Sequence, residues 1–182
     1  MNIIDGLLNS YANFVRVAWD RSVAGPQRVW LVVYPPDQER RLRMRVGDFE
    51  VATLDAKHSW RLVDITDSFG HWLGAHDYRD SYFEEPADIT PALEEFAESL
   101  ADEVRGHLAA DDVGEDTVVA LMGVGSLFGL GRASHLIEAI NNDIRGRLLV
   151  FFPGEVEGTN YRLLGARDGW NYLAVPITAT EG

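Results

Sequence analysis

The sequence contains no cysteine. Disulfide scaffolds, thiolate metal sites and cysteine nucleophiles are removed together, and a reducing compartment suits such a chain. Lysine is almost as scarce: Lys57 stands alone, and the other basic residues are arginines. A phosphate loop ending in Gly-Lys-Ser/Thr therefore has no lysine to use. No apolar run approaches the ~20 residues that span a bilayer. The opening MNIIDGLLNSYANF lacks a basic stretch ahead of a continuous apolar block and does not read as a secretory signal, so a cytoplasmic protein is expected. Positive charge is in deficit, with 29 acidic against 16 basic residues and a formal net charge of −13. Phosphate backbones are repelled by such a chain, which disfavours general nucleic-acid binding.

What is present is ordinary globular material. The 182 residues, 46% of them hydrophobic, suffice for one domain with a sizeable core. Ile3, Ile4, Leu7, Leu8, Tyr11, Phe14 and Val15 recur at helical spacing and predict an N-terminal amphipathic helix. Val29 to Tyr34 reads as a buried strand stopped by Pro35-Pro36, with Asp37 placed to cap a helix whose inner face carries Leu42, Val46 and Phe49. Trp60 to Ile65 is a second strand, followed by a helix over 68–78 and an aromatic–acidic turn, Tyr82-Phe83-Glu84-Glu85-Pro86. Thr90, Pro91 and Glu94 suggest a capped start for a helix bearing Leu93, Phe96, Leu100, Val104 and Leu108. Thr117 to Met122 is the third clear strand, 132–141 a helix, Leu148 to Phe152 a fourth strand and Tyr172 to Val175 a fifth. Tyr161 to Leu164 is a minor strand between the last two. Alternating strands and helices imply right-handed crossovers. The expected fold is α/β: a three-layer domain spanning 1–182, its central sheet mostly parallel with about five strands.

Chemistry is sought at strand ends, where open α/β sheets hold ligands. Gly123-Val124-Gly125-Ser126-Leu127-Phe128-Gly129-Leu130-Gly131 follows a strand and precedes a helix, the context of a phosphate cradle. Its spacing is G-x-G-x-x-x-G, which fits neither a dinucleotide fingerprint nor a P-loop. A structural or partner-facing loop is the reading preferred. The alternative is a phosphate or nucleotide sensor using Gly123, Gly125 and Ser126 with Arg40 and Arg41. Glu39-Arg40-Arg41-Leu42-Arg43-Met44-Arg45 places four arginines in six positions; it reads as a solvated helix face paired with acids, and nucleic-acid contact through Arg40–Arg45 is a third reading. Asp64, at a strand end, superficially resembles a magnesium-binding acid but has no phosphate loop to serve, so a turn-stabilising role is expected. His58, His71, His76, His107 and His135 show no ligand spacing, so no metal and no cofactor are expected. No nucleophile elbow is complete around Ser126.

The most distinctive stretch is 147–176. After Phe152 it turns polar and turn-rich, with Pro153, Gly154, Glu155, Asn160, Tyr161, Arg162 and Trp170 forming a candidate partner-binding surface. Tyr161 and Trp170 would be its anchors, because large aromatics carry much of the energy at interfaces. Tyr82-Phe83-Glu84-Glu85-Pro86, Gly123 to Gly129, Leu149-Val150-Phe151-Phe152-Pro153-Gly154-Glu155, Asn160 to Leu164 and Asp168-Gly169-Trp170-Asn171-Tyr172-Leu173-Ala174-Val175-Pro176 resemble the BrxB family, a small component of BREX bacteriophage-exclusion systems. The resemblance implies a place in phage defence beside a DNA methyltransferase, ATPases and the phosphatase-like protein PglZ, with PglZ the favoured partner among the BREX components. It supplies no catalytic residues. The inferred strand order also looks like a nucleotide-hydrolase core without its P-loop. The expectation is a non-enzymatic adaptor within that defence complex.

Overall fold

The computed structural model describes residues 2–179. Helix α1 (Ile3–Val15) opens with a reciprocal cap: the Asn2 side chain accepts from the Asp5 amide at 3.0 Å, and the Asp5 carboxylate accepts from the Asn2 amide at 3.4 Å. β1 (Val29–Tyr34) ends at the proline pair and leads through a 3-10 turn into α2 (Glu39–Asp55). Asp37 lies inside that turn and does not cap the helix; Gln38 is the N-cap and contributes no side-chain bond. β2 (Ser59–Asp64) precedes α3 (Ser68–Ala75), α4 (Arg79–Glu84), a 3-10 stretch over Pro86–Ala92 and α5 (Leu93–Leu108). The expected helix over 68–78 stops early, and the aromatic–acidic turn begins inside α4. Thr90 caps nothing either. Pro91 stays in the 3-10 run, whose last bond joins the Leu93 amide to the Thr90 carbonyl, so the α-helix starts two residues later.

β3 (Thr117–Met122), α6 (Ala133–Ile140) and β4 (Arg147–Glu157) follow. β4 is longer than the apolar run that announced it. Pro153, Gly154 and Glu155 are strand residues, and the chain turns only at Gly158, whose φ of +62° suits glycine. β5 (Asn160–Leu163) returns antiparallel to β4, and β6 (Trp170–Asn171) pairs with β5. The expected strand over 172–175 is not formed: Tyr172 to Ala174 connect β6 to β7 (Val175–Ile177), which pairs with β1, and only Val175 of the expected residues lies in a strand.

The parallel strands lie in the order β2-β3-β4-β1-β7. From β1 the chain crosses to the far edge and then steps back through β3 to β4. Right-handed crossovers in opposite directions put their helices on opposite faces. α1 and α2 accordingly cover one face, packing Leu7, Tyr11, Leu42 and Phe49 against Trp30, Val32, Tyr34 and Phe151. α5 and α6 cover the other, packing Leu100, Val104 and Ile137 against Leu31, Val33, Leu121, Val150 and Phe152. The two-residue alternation of strands sends odd and even positions of β1 to different layers. Helices on both faces of a mostly parallel sheet make this a three-layer α/β fold.

Gly154 marks where β4 leaves the parallel sheet. A Cβ built there would lie 1.9 Å from the Arg162 carbonyl oxygen of β5. Gly154→Ala must push the hairpin apart, and it is expected to cost about 2–3 kcal/mol. Denaturant titration would show the lowered midpoint; an unchanged midpoint would mean that the β4–β5 crossing relaxes without penalty.

Candidate functional site

The strands on either side of β4 send their following helices to opposite faces, which creates a crevice at the carboxyl edge of the sheet. In this fold the crevice is closed by the protein's own side chains. Tyr34, buried at the end of β1, donates its phenolic hydrogen to Glu39 Oε2 at 2.5 Å. Burial, and then the Glu39 carboxylate, push the Tyr34 phenol far above its ordinary value, so it remains a donor. Arg43, one helical turn on, reaches Glu39 Oε1 at 2.8 Å, Asp64 Oδ2 at 3.2 Å and Thr66 Oγ1 at 2.8 Å. Asp64 in turn receives the Thr66 amide at 3.0 Å and the Thr66 hydroxyl at 2.5 Å, which is the expected turn-stabilising role.

Gly123 starts the glycine-rich loop directly against this cluster. Its φ is +94°, and a Cβ there would lie 2.6 Å from Thr66 Oγ1 and 2.9 Å from Asp64 Oδ1. Glycine is required for close approach to the β2 turn. A carboxylate beside the loop disfavours a phosphate there. Ser126 turns its hydroxyl back onto the Gly123 carbonyl at 2.6 Å, and Gly125 faces Pro153. Arg40 and Arg41 stand exposed on the first turn of α2, and Arg41 reaches only Gln38 at 3.5 Å. The arginine that enters the crevice is Arg43, already neutralised by two carboxylates. Arg45 is likewise paired, to Asp5 of α1 at 2.7 Å and to Asp48. The i,i+4 spacing of Glu39 and Arg43 was the sequence signal for this cluster; the remote partners Asp64 and Thr66 carried none.

The candidate partner-binding residues separate by strand alternation. Residues directly opposed in the hairpin share a face. Val156 pairs with Tyr161, and Tyr161 with Trp170, on the inner face. Tyr161 is 1% exposed and donates to the Ala174 carbonyl at 3.3 Å. It belongs to the core, between Phe152 and Trp170, and is not an outward anchor. Trp170 is half-buried, stacks on Tyr172 with centroids 4.2 Å apart and donates to Glu138 at 2.9 Å. Pro153 and Gly154 are buried, and Asn160 is half-buried. Only Glu155 and Arg162 are fully exposed; they face each other across the hairpin without an ion pair, on an outer face shared with Glu157 and Asn160. The inner side of the C-terminal block and the glycine-rich loop line one cavity of about 420 Å³, to which Arg132 and Arg167 also contribute. Among the described residues no group of three or more His, Asp or Glu is placed to hold a metal, and no helix is long and apolar enough to cross a membrane.

Asp64 supplies a pH handle on the closed crevice. Desolvation raises its pKa, but the Thr66 donors and Arg43 together outweigh it, and the carboxyl is held below its ordinary 3.8. A depressed folded-state value contributes stability above the unfolded value, and that stability is lost as pH falls through the folded one. Arg43→Met should cost about 1 kcal/mol at pH 7, the scale of a partly exposed pair. The gap from wild type should close as Asp64 protonates below 3.8. Urea melts across this range would show it; a gap that persists in acid would mean that Arg43 acts through packing alone.

Neither curated proteins nor solved structures give a match to this chain. The family described as BREX protein BrxB matches residues 76–177, which is 102 of the 182 residues and includes α5, β3, α6, β4 and the whole C-terminal hairpin. With more than half of its length matched, the chain belongs to the BrxB family, a component of BREX phage-defence systems.

Proposed function

We propose that this chain is a non-enzymatic assembly subunit of the BREX defence complex, acting in the cytoplasm, and that it holds PglZ through the outer face of the β4–β5 hairpin. The observation that carries this reading is the closed carboxyl edge. Where an open α/β sheet keeps room for a substrate, Tyr34, Glu39, Arg43, Asp64 and Thr66 bond to one another, so the acids and the cation of this cluster are already engaged. β4 instead runs past that edge and carries a hairpin outward. Glu155 and Arg162 on its outer face are exposed charges without intramolecular ion partners. Charges of that kind set the orientation and specificity of a partner more than the depth of its binding.

The discriminating experiment is co-purification of tagged PglZ with wild type and with Glu155→Arg plus Arg162→Glu. Both positions are exposed, so the variant should fold, which circular dichroism would confirm; truncating the buried Tyr161 would not be a clean probe. Recovery is expected to fall at least about tenfold, equivalent to 1.4 kcal/mol. Undiminished recovery with a folded variant would remove the hairpin from the interface. Millimolar nucleotide, with or without magnesium, should leave the melting temperature unchanged, since a ligand that binds the native state raises it. A nucleotide-dependent rise would favour the sensor reading instead.

A further inference from the structure

The crossover between β2 and β3 is built unlike the rest of the molecule. From Phe69 to Glu95 no side chain is fully buried, although the stretch carries Trp72, Tyr78, Tyr82 and Phe83. Tyr78 and Phe83 are 66% and 65% exposed. Burying a large apolar side chain is worth ~1.5–3 kcal/mol, and these rings find no such burial within the chain. An overlapping segment, which runs on into α5, holds most of the protein's net negative charge. Between Asp77 and Glu103 there are ten carboxylates and one arginine, a formal −9 of the chain's −13. That arginine, Arg79, is directed to the Gly74 carbonyl at 3.3 Å.

α3, the turn after it, Tyr82 and α5 enclose an open cavity of about 700 Å³. One wall is aromatic: the His76 ring lies 4.9 Å from Trp72, 5.2 Å from Tyr82 and 5.9 Å from Tyr78, centroid to centroid. α5 adds Glu95 and Glu103 to the lining. Glu103 accepts only the Ser68 hydroxyl at 3.2 Å. Glu95 approaches His76 Nε2 at 3.8 Å and is otherwise free. Neither carboxylate has an arginine or lysine partner.

We infer that this cavity is the docking site for a basic segment of a partner protein, with an arginine side chain laid against Trp72, His76 and Tyr82 and its guanidinium paired to Glu95. Arginine fits better than lysine. A planar guanidinium stacks on aromatic faces and bonds a carboxylate through two parallel N–H groups, whereas an ammonium does neither as well. Glu103 and Asp77 stand on the same cavity for flanking bases, and exposed Tyr78 extends its apolar contact. Charge complementarity commits the surface to a cationic protein segment; a nucleic acid would be repelled. The inference does not rest on the hairpin or on PglZ.

The test is calorimetric titration at low salt with the peptide acetyl-Gly-Arg-Gly-Arg-Gly-amide and its lysine and glutamate counterparts. The arginine peptide is expected to bind more tightly than the lysine peptide, and the glutamate peptide not to bind. Glu95→Gln, an exposed change that should not disturb folding, is expected to weaken the arginine peptide about tenfold, and Tyr82→Ala combined with it further still. Glu84→Gln plus Glu85→Gln, which removes two acids outside the cavity, should stay within about threefold. Absence of heat with the arginine peptide would overturn the proposal, and so would equal losses in the two acid-removal variants, which would reveal a diffuse field without a pocket. The Glu155→Arg plus Arg162→Glu variant should bind the peptide as wild type does, so a failure of the hairpin reading and a failure of this one are separable.

Discussion

β4 has to serve two pairing systems at once. Its first half is the middle of a parallel sheet, bonded to β3 on one side and β1 on the other; its second half is one arm of an antiparallel hairpin. A strand buried on both faces cannot bend away without exposing unpaired amides, each of which costs free energy comparable to a lost hydrogen bond. The chain therefore continues straight through the carboxyl edge until β5 can take over the pairing. Pro153 marks the point at which this becomes possible. It still lies opposite Tyr34 in the parallel ladder, and its carbonyl already accepts from the Leu164 amide at 2.8 Å on the hairpin side.

From that continuation the closed crevice follows. With β4 running through the switch point, the near ends of the loops after β1, β2 and β3 pack on one another, and only the far end of the loop after β3 lines the cavity beneath the hairpin. Gly123 is pressed onto Thr66, Gly125 onto Pro153, and Arg43 ties α2 to the end of β2 through Asp64 while its helix neighbour Glu39 holds Tyr34 at the end of β1. An arginine with carboxylates on two elements is as much a structural tie as an electrostatic one, since its five donors can satisfy several acceptors at once. The strand order inferred from the sequence looks like a nucleotide-hydrolase core, but the turn after β1 is Tyr34-Pro35-Pro36 and the start of the glycine-rich loop lies against Asp64. Fold-level likeness carries no activity by itself, and here the local electrostatics oppose it.

Patterns with a local cause were legible in the sequence. The three apolar strands 29–34, 117–122 and 148–152, the stripe of α1 and the α5 face Phe96-Leu100-Val104-Leu108 were all readable, because periodicity reports burial directly. The ends were not. Asp37 and Thr90 are good capping types, but the prolines beside them kept the chain in 3-10 geometry and moved each helix start past its supposed cap. At the site, Tyr161 and Trp170 sat among polar residues and looked outward. The two-residue alternation Asn160, Tyr161, Arg162, Leu163 would have turned Tyr161 inward had the segment been treated as a paired strand. The Arg43–Asp64–Thr66 tie was beyond reach, because it joins residues more than twenty positions apart with no motif between them.

Net charge, read from composition, argued against nucleic acid for the molecule as a whole. Its distribution changes the force of that argument. The segment 77–103 carries −9, leaving −4 over all remaining positions, so long-range repulsion is chiefly a property of one crossover. Five arginines outside it are paired with carboxylates: Arg43 with Glu39 and Asp64, Arg45 with Asp5 and Asp48, Arg105 with Asp102 and Asp143, Arg21 with Glu115 and Asp116, and Arg61 with Asp112. Interleaved pairs leave little unscreened field beyond a Debye length of ~8 Å. Of the ten carboxylates in 77–103, only Asp102 has an arginine partner among the described residues. A surface of this kind loses stability to self-repulsion, and a cationic partner would relieve that cost on binding, so the same carboxylates that weaken the isolated chain would strengthen a complex with it.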